Sequence, residues 1–269
     1  MQTVILLIAN TSFYSLNLMI IAVLSDIHGN LPAFKAVLKD LENKGVEQVC
    51  CLGDIVGYGG QSKECLEMIR MIATPIVRGN HDTDVALDFS IDNFFNPFVQ
   101  RSIELTRSIL SAEEKAYLMT LPLVAETDNT QLVHASLQNP EDWNYLDNLK
   151  SAEDNLKLQK YDVTFCGHTH IAGGFYKNIN PGLAYAPDSI LPLEVEKPIE
   201  VTGYSKYLIN VGSVGQPRDG DPRASYVLFN SNNGLIKFVR VEYNIKEAQR
   251  KIISCGFPES FASRLAVGL

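Results

Sequence analysis

MIIAVLSDIHGNLPAFKAVLKDLENKG, Met19 to Gly45, holds the reading on which the architecture turns. MIIAVLS, residues 19–25, is an almost wholly apolar, partly β-branched run, as a strand buried on both faces requires, and Asp26 follows it. Beyond Asn30, the residues Leu31, Phe34, Val37, Leu38 and Leu41 recur at spacings of three and four, the period of a helix with one apolar stripe, and Gly45 is expected to end it. Reading on, VEQVCCLG (46–53) and PIVRG (75–79) have strand character and SKECLEMIRMIA (62–73) helix character. Such a β-α-β-α-β alternation implies a parallel sheet covered by helices.

Further along, residues 84–122 interrupt the alternation with a long helical stretch, expected to be a helical cap insertion. Ser111 and Glu114 supply an S-x-x-E capping signal inside it. Alternation resumes with the strand TQLVHA (130–135), a helix around 152–160 and the strand YDVTFCG (161–167). A Gly/Pro-rich insert covers 171–206, a wall over the site or a dimer contact. The runs 207–211, 226–229 and 235–243 are expected as antiparallel strands of a second sheet. Residues 19–269 read as one domain, and residues 1–18 as an extension that is either a start-site artefact or an added strand.

With 269 residues and 46% apolar content, a sizeable core is expected. A net charge of −8 without a basic run argues against a nucleic-acid partner or an anionic membrane, so an anionic substrate must be attracted locally. The five cysteines, Cys50, Cys51, Cys65, Cys166 and Cys255, lack C-x-x-C spacing and read as buried thiols of a reducing, cytoplasmic compartment. VILLIA near the start is too short to span a bilayer and has no preceding positive charge. The oligomeric state is left open.

The chain has five histidines, His28, His81, His134, His168 and His170. Each is expected just past a strand or in the following turn, where open α/β sheets hold ligands, and Asp26, Asp54 and Asn80 share that placement. Imidazole, carboxylate and amide together suit a borderline divalent ion such as manganese, iron or zinc better than calcium. The set exceeds the needs of one ion and suits two ions sharing a carboxylate about 4 Å apart.

Taken in order, SDIHGN, GDIVGYG, RGNHD, VHAS, CGHTH and INVGSVGQPRDGDPRASY resemble the motif set of the calcineurin-like metallophosphoesterases, over residues 19 to about 243. The resemblance implies a four-layer α/β/β/α sandwich of two mixed sheets. It also implies two divalent ions, with manganese foremost and iron, zinc, nickel or cobalt as alternatives. Asp26, His28 and His170 would hold one ion and Asn80, His134 and His168 the other, with Asp54 bridging. Hydroxide between the metals would attack phosphorus, and His81 would protonate the leaving oxygen or stabilise its charge.

GDIVGYG departs from the GDxVDRG pattern of the Ser/Thr protein phosphatases, because Gly57 and Tyr58 stand where that pattern has an acid and an arginine. With CGHTH, this points to the small bacterial and archaeal branch, similar to diadenosine tetraphosphatase-related proteins. The expected activity is hydrolysis of phosphodiesters or nucleotide polyphosphates, with Arg218, Arg223 and Tyr58 as candidate substrate contacts. Phe89, Phe94, Phe95 and Phe98 are candidates for stacking a base or, alternatively, filling the cap core. The competing readings are a phosphomonoesterase or protein phosphatase of the same superfamily, a single-metal hydrolase, and a metal-stabilised binding scaffold similar to the retromer subunit of this fold.

Overall fold

The computed structural model describes residues 19–87, 96–178, 189–191 and 198–269. The 1–18 extension, Phe89, Phe94, Phe95 and parts of the 171–206 insert lie outside the described residues.

Two mixed sheets pack face to face. The first has strand order β2 (Gln48–Cys51), β1 (Ile20–Leu24), β10 (Ala224–Asn230), β11 (Leu235–Val241) and β8 (Ile199–Glu200). The second runs β3 (Val124–Thr127), β4 (Thr130–Val133), β5 (Val163–Cys166), β9 (Ser205–Asn210), β6 (Gly173–Asn178) and β7 (Ser189–Leu191). Strand periodicity explains the layering. In β1, Ile21 and Val23 meet Leu132, Phe165 and Ile209 of the second sheet, whereas Ala22 and Leu24 face the other way onto α1 (Leu31–Leu41) and α2 (Ser62–Ile72). On the far side, Val133, Cys166 and Leu208 pack with Ala152 and Leu156 of α6 (Leu149–Leu158). The result is the α/β/β/α sandwich.

The expected parallel run is divided between the sheets. β1 and β2 pair in parallel in the first, and β4, β5 and β9 in the second. β10 and β11 return antiparallel beside β1 instead of joining the second sheet, so that expectation is corrected. The signal is ambiguous because central strands are buried on both faces whichever sheet they join, so their burial does not name their neighbours. PIVRG is not a strand. Only Ile76 bridges to Cys51, and the chain then turns away as the Arg78 N–H donates to the Pro122 carbonyl.

Helix α1 ends at Leu41, four residues before Gly45, which takes a left-handed φ of +63° in the turn beyond. The stretch expected as one long helical insertion consists, in its described part, of α3 (Asn80–Ala86), α4 (Pro97–Ile109) and α5 (Ala112–Thr120). The Ser111–Glu114 capping box opens α5 in both directions, with N···O distances of 3.1 and 2.7 Å. Phe98 is largely exposed on α4 and does not fill a cap core. After β11, α7 (Ile245–Ser254) and α8 (Glu259–Arg264) fold back over Tyr58 through Phe257 and Phe261. Cys255, on this edge, is exposed, unlike the four buried cysteines. Among the described residues, no helix is long and apolar enough to cross a membrane.

Candidate metal centre

The loops that follow β1, β2, β4 and β5 converge at one rim of the sandwich, and the first turn of α3 meets them there. Asp26 and His28 follow β1, Asp54 follows β2, His134 follows β4, and His168 and His170 follow β5. Asn80 and His81 open helix α3 instead of lying in a turn, which corrects their expected placement. Asp26, His28, Asp54, His168 and His170 all have φ between +48° and +67°, a region that costs non-glycine residues about 1–3 kcal/mol each. Strain repeated at five chemically matched residues points to a backbone shaped for a site.

The tautomers follow from the anchors. His28 Nδ1 lies 3.0 Å from the Val56 carbonyl, His134 Nδ1 2.8 Å from Leu52 and His170 Nδ1 2.6 Å from Gln216. A carbonyl only accepts, so each Nδ1 carries a hydrogen and each ring turns its Nε2 inward, bare in the neutral rings of His28 and His170. The Nε2 atoms of His28 and His170 are 3.1 Å apart, and Asp26 Oδ1 lies 3.7 and 3.2 Å from them, buried and without a hydrogen-bond donor. Two lone pairs and an orphaned carboxylate oxygen at such separations call for a cation among them.

A second group mirrors the first. His134 Nε2 lies 3.2 Å from both Asn80 Oδ1 and His168 Nδ1, and 3.4 Å from Asp54 Oδ2. The same Asp54 oxygen is 3.5 Å from His28 Nε2, so it joins the two groups. All seven expected ligands are therefore brought together, all but Asn80 buried.

Electrostatics agree. Burial alone would raise the Asp26 and Asp54 carboxyls, but His170 beside Asp26, and His134 and His81 beside Asp54, hold both below the usual range. Burial pulls His28 and His170 down, His168 to about 3 and His81 to about 4, so these rings are neutral at pH 7. His134 is opposed by burial yet pushed up to about 9 by Asp54 and Asp26. Without metal, the two carboxylates hold a proton on His134, and a divalent ion would take over that proton's electrostatic role.

Several contributors escaped the sequence reading. Asp82, in the first turn of α3, accepts from the backbone N–H groups of Asp54, Ile55, Val56 and Gly79 at 2.8 to 3.3 Å, and so fixes the Asp54 loop. An acid at a helix N-terminus was its only visible signal. A cavity of about 230 Å³ opens onto the centre, lined by Asp54, Asn80, His81, His168 and His170 together with Tyr58, Asp84, Tyr145 and Arg218. The Tyr145 ring stacks on His168 at 4.2 Å, and the single tryptophan, Trp143, meets His134 at 5.9 Å. Of the three expected substrate contacts, Tyr58 and Arg218 reach this cavity. Arg223 does not: its guanidinium forks onto Asp221 at 2.7 to 3.1 Å, which removes it from the expected contacts.

The model of the calcineurin-like phosphoesterase superfamily domain matches residues 19–234. The protein MJ0912 of Methanocaldococcus jannaschii is 40% identical over 252 residues, covering 92% of this chain and 98% of that one. The crystal structure of a metallophosphoesterase from Sphaerobacter thermophilus is 38% identical, with a TM-score of 0.80 over 93% of this chain and 99% of its own. That of PH1004 from Pyrococcus horikoshii, 22% identical with a TM-score of 0.74 over 93% and 99%, shares the fold.

Proposed function

Because the chain belongs to the calcineurin-like phosphoesterase superfamily, whose members use divalent metals, we propose that it hydrolyses phosphodiesters or nucleotide polyphosphates with two such ions, manganese foremost. The observation that carries the two-ion reading is the single Asp54 oxygen standing within 3.5 Å of an inward-facing imidazole nitrogen from each ligand group. Asp26, His28 and His170 would hold one ion, Asn80, His134 and His168 the other, and Asp54 both. Bound there, the ions would polarise a phosphoryl oxygen and lower the pKa of a water.

The residues around the centre divide the remaining work. His81 lines the cavity next to Asp54 and is neutral, so it donates a hydrogen bond to the leaving oxygen instead of carrying a full proton to it. Its buried Nδ1 has no partner, and a Cβ on Gly57 would come within 2.7 Å of that atom. An acidic side chain backing His81 from position 57 has no room. This supports diester or polyphosphate chemistry over the protein-phosphatase arrangement.

The test is to load the chain with manganese and follow turnover of bis-p-nitrophenyl phosphate, p-nitrophenyl phosphate and diadenosine tetraphosphate. Manganese-dependent hydrolysis, faster on the diester or the tetraphosphate than on the monoester, is expected. No turnover from protein holding two metals per chain would replace the enzyme with a binding scaffold.

A further inference from the structure

Where Arg218 lines the cavity, a second arginine stands beside it, and together they carry more positive charge than their surroundings balance. Arg218, in the loop between β9 and β10, donates from Nη2 to Gln216 Oε1 at 2.8 Å, and its guanidinium lies 5.7 Å from the centre of the Tyr58 ring. Arg264, the last residue of α8, donates from Nη1 to the same Gln216 oxygen at 3.3 Å and lies over Phe261 at 5.2 Å. Two cations thus share one neutral acceptor.

Among the described residues neither guanidinium forms an ion pair with a carboxylate, and Arg218 Nε is buried without a partner. The nearby acids are engaged elsewhere, Asp219 with Arg240 and Asp221 with Arg223. Asp84, the one carboxylate on the cavity wall outside the ligand set, stands on α3 and pairs with neither arginine. Burial and the neighbouring Arg218 charge both disfavour the cationic form of Arg264.

Gln216 ties this corner to the metal centre. It is buried, its carbonyl accepts from His170 Nδ1, and its amide oxygen holds both arginines. The aromatic stack runs the same way, with Tyr58 between His81 at 4.4 Å and Phe261 at 4.8 Å. An oxyanion in reach of a phosphoryl group at the centre would give the two guanidinium forks the partner they lack.

We infer that Arg218 and Arg264 together form a second anion subsite, which takes a phosphate or carboxylate carried by the substrate next to the phosphoryl group bound at the metal centre. The substrate class is then a phosphoester with a second anionic group close to the scissile one. The inference rests on the reading that the centre binds a phosphoryl group, not on the occurrence of turnover.

Hydrolysis-resistant ligands separate the two questions. Affinities of the manganese-loaded full chain for methylphosphonate, phosphonoacetate and methylenediphosphonate are measured by calorimetry, for wild type and Arg264→Met, which keeps an apolar stem against Phe261. Wild type is expected to bind the two ligands with a second anion at least about 10-fold tighter than methylphosphonate, and Arg264→Met to cut that ratio to about 3 or less, the usual scale of a charge-assisted hydrogen bond. The tighter of the two identifies whether phosphate or carboxylate is preferred. A wild-type ratio near one, or an unchanged ratio in Arg264→Met, overturns the subsite. Binding ratios as expected without turnover of any phosphoester overturn the hydrolase reading and leave the subsite standing.

Discussion

The floor of the cavity and its wall are built on different principles. On the floor, His28, His134 and His170 are each anchored on a main-chain carbonyl, and Asp54 sits in a loop whose N–H groups are held by Asp82. On the wall, Arg218 is held by the Gln216 side chain, and Tyr145 is 51% exposed and rests on His168. Backbone anchors fix position through the fold itself, whereas side-chain contacts change with a single substitution. A floor of the first kind suits a constant reaction, and a wall of the second kind suits a choice of substrate.

The strongest way to break that division is Asp54→Asn, which removes the one carboxylate shared by the two ligand groups. Turnover is expected to fall by at least ~10³-fold, the several kcal/mol a metal contributes, with fewer than two metals bound per chain by elemental analysis. An active variant with two metals would mean that Asp54 does not bridge. His81→Ala sharpens the boundary between floor and wall. Activity should drop about 100-fold with the metal count unchanged at two, whereas a lost metal would move His81 into the ligand set.

Acid stability of the metal-free chain probes the floor above all. His28, His81, His168 and His170 have folded-state pKa values below the ordinary 6.5, so below pH 6.5 the unfolded chain binds more protons and stability falls as pH falls. Asp82 and Asp84, raised to about 7 by burial and the Asp54 charge, act in the opposite sense over that range. Four groups against two leave an excess of up to two protons, at most ~2.7 kcal/mol per pH unit. His134, with its pKa up at about 9, contributes stability that is present below 6.5 and lost as pH rises through 9. Melting temperatures in chelator at pH 5.5, 7 and 9 should therefore peak at the middle value. A flat profile would mean the imidazoles are not buried in neutral form.

The smallest effect belongs to the wall. Tyr145→Ala removes one stacked ring from His168, and kcat/KM for bis-p-nitrophenyl phosphate should change only about 2- to 10-fold. A collapse comparable to Asp54→Asn would show that the wall is as fixed as the floor.

What the sequence made legible follows the same division. That Asp26, His28, Asp54, His134, His168 and His170 come together was legible because short fixed-spacing motifs sit at strand ends, and strand ends meet at one rim in this architecture, whereas Asn80 joins them from the first turn of α3. Arg264 was not readable. It reaches Gln216, beside Arg218, through the packing of α8 on Tyr58, a contact between residues some two hundred positions apart with no local pattern. Arg223 misled because a Gly/Pro-rich loop marks where an arginine can reach, not which carboxylate meets it first. Of the three late strands β9 lies in the second sheet as expected, whereas β10 and β11 lie in the first, because apolar periodicity identifies a strand but not its neighbour.

Asp26, His28 and Asp54 hang from the first sheet, and His134, His168 and His170 from the second. The proposed pair of ions, held between them, would therefore be a rivet through two layers otherwise joined by an oily seam. With the rivet in place, local opening of either sheet must break coordination in the other, so slow amide exchange should spread across both and the layers should unfold as one body. With it removed, each sheet is free to breathe on its own clock.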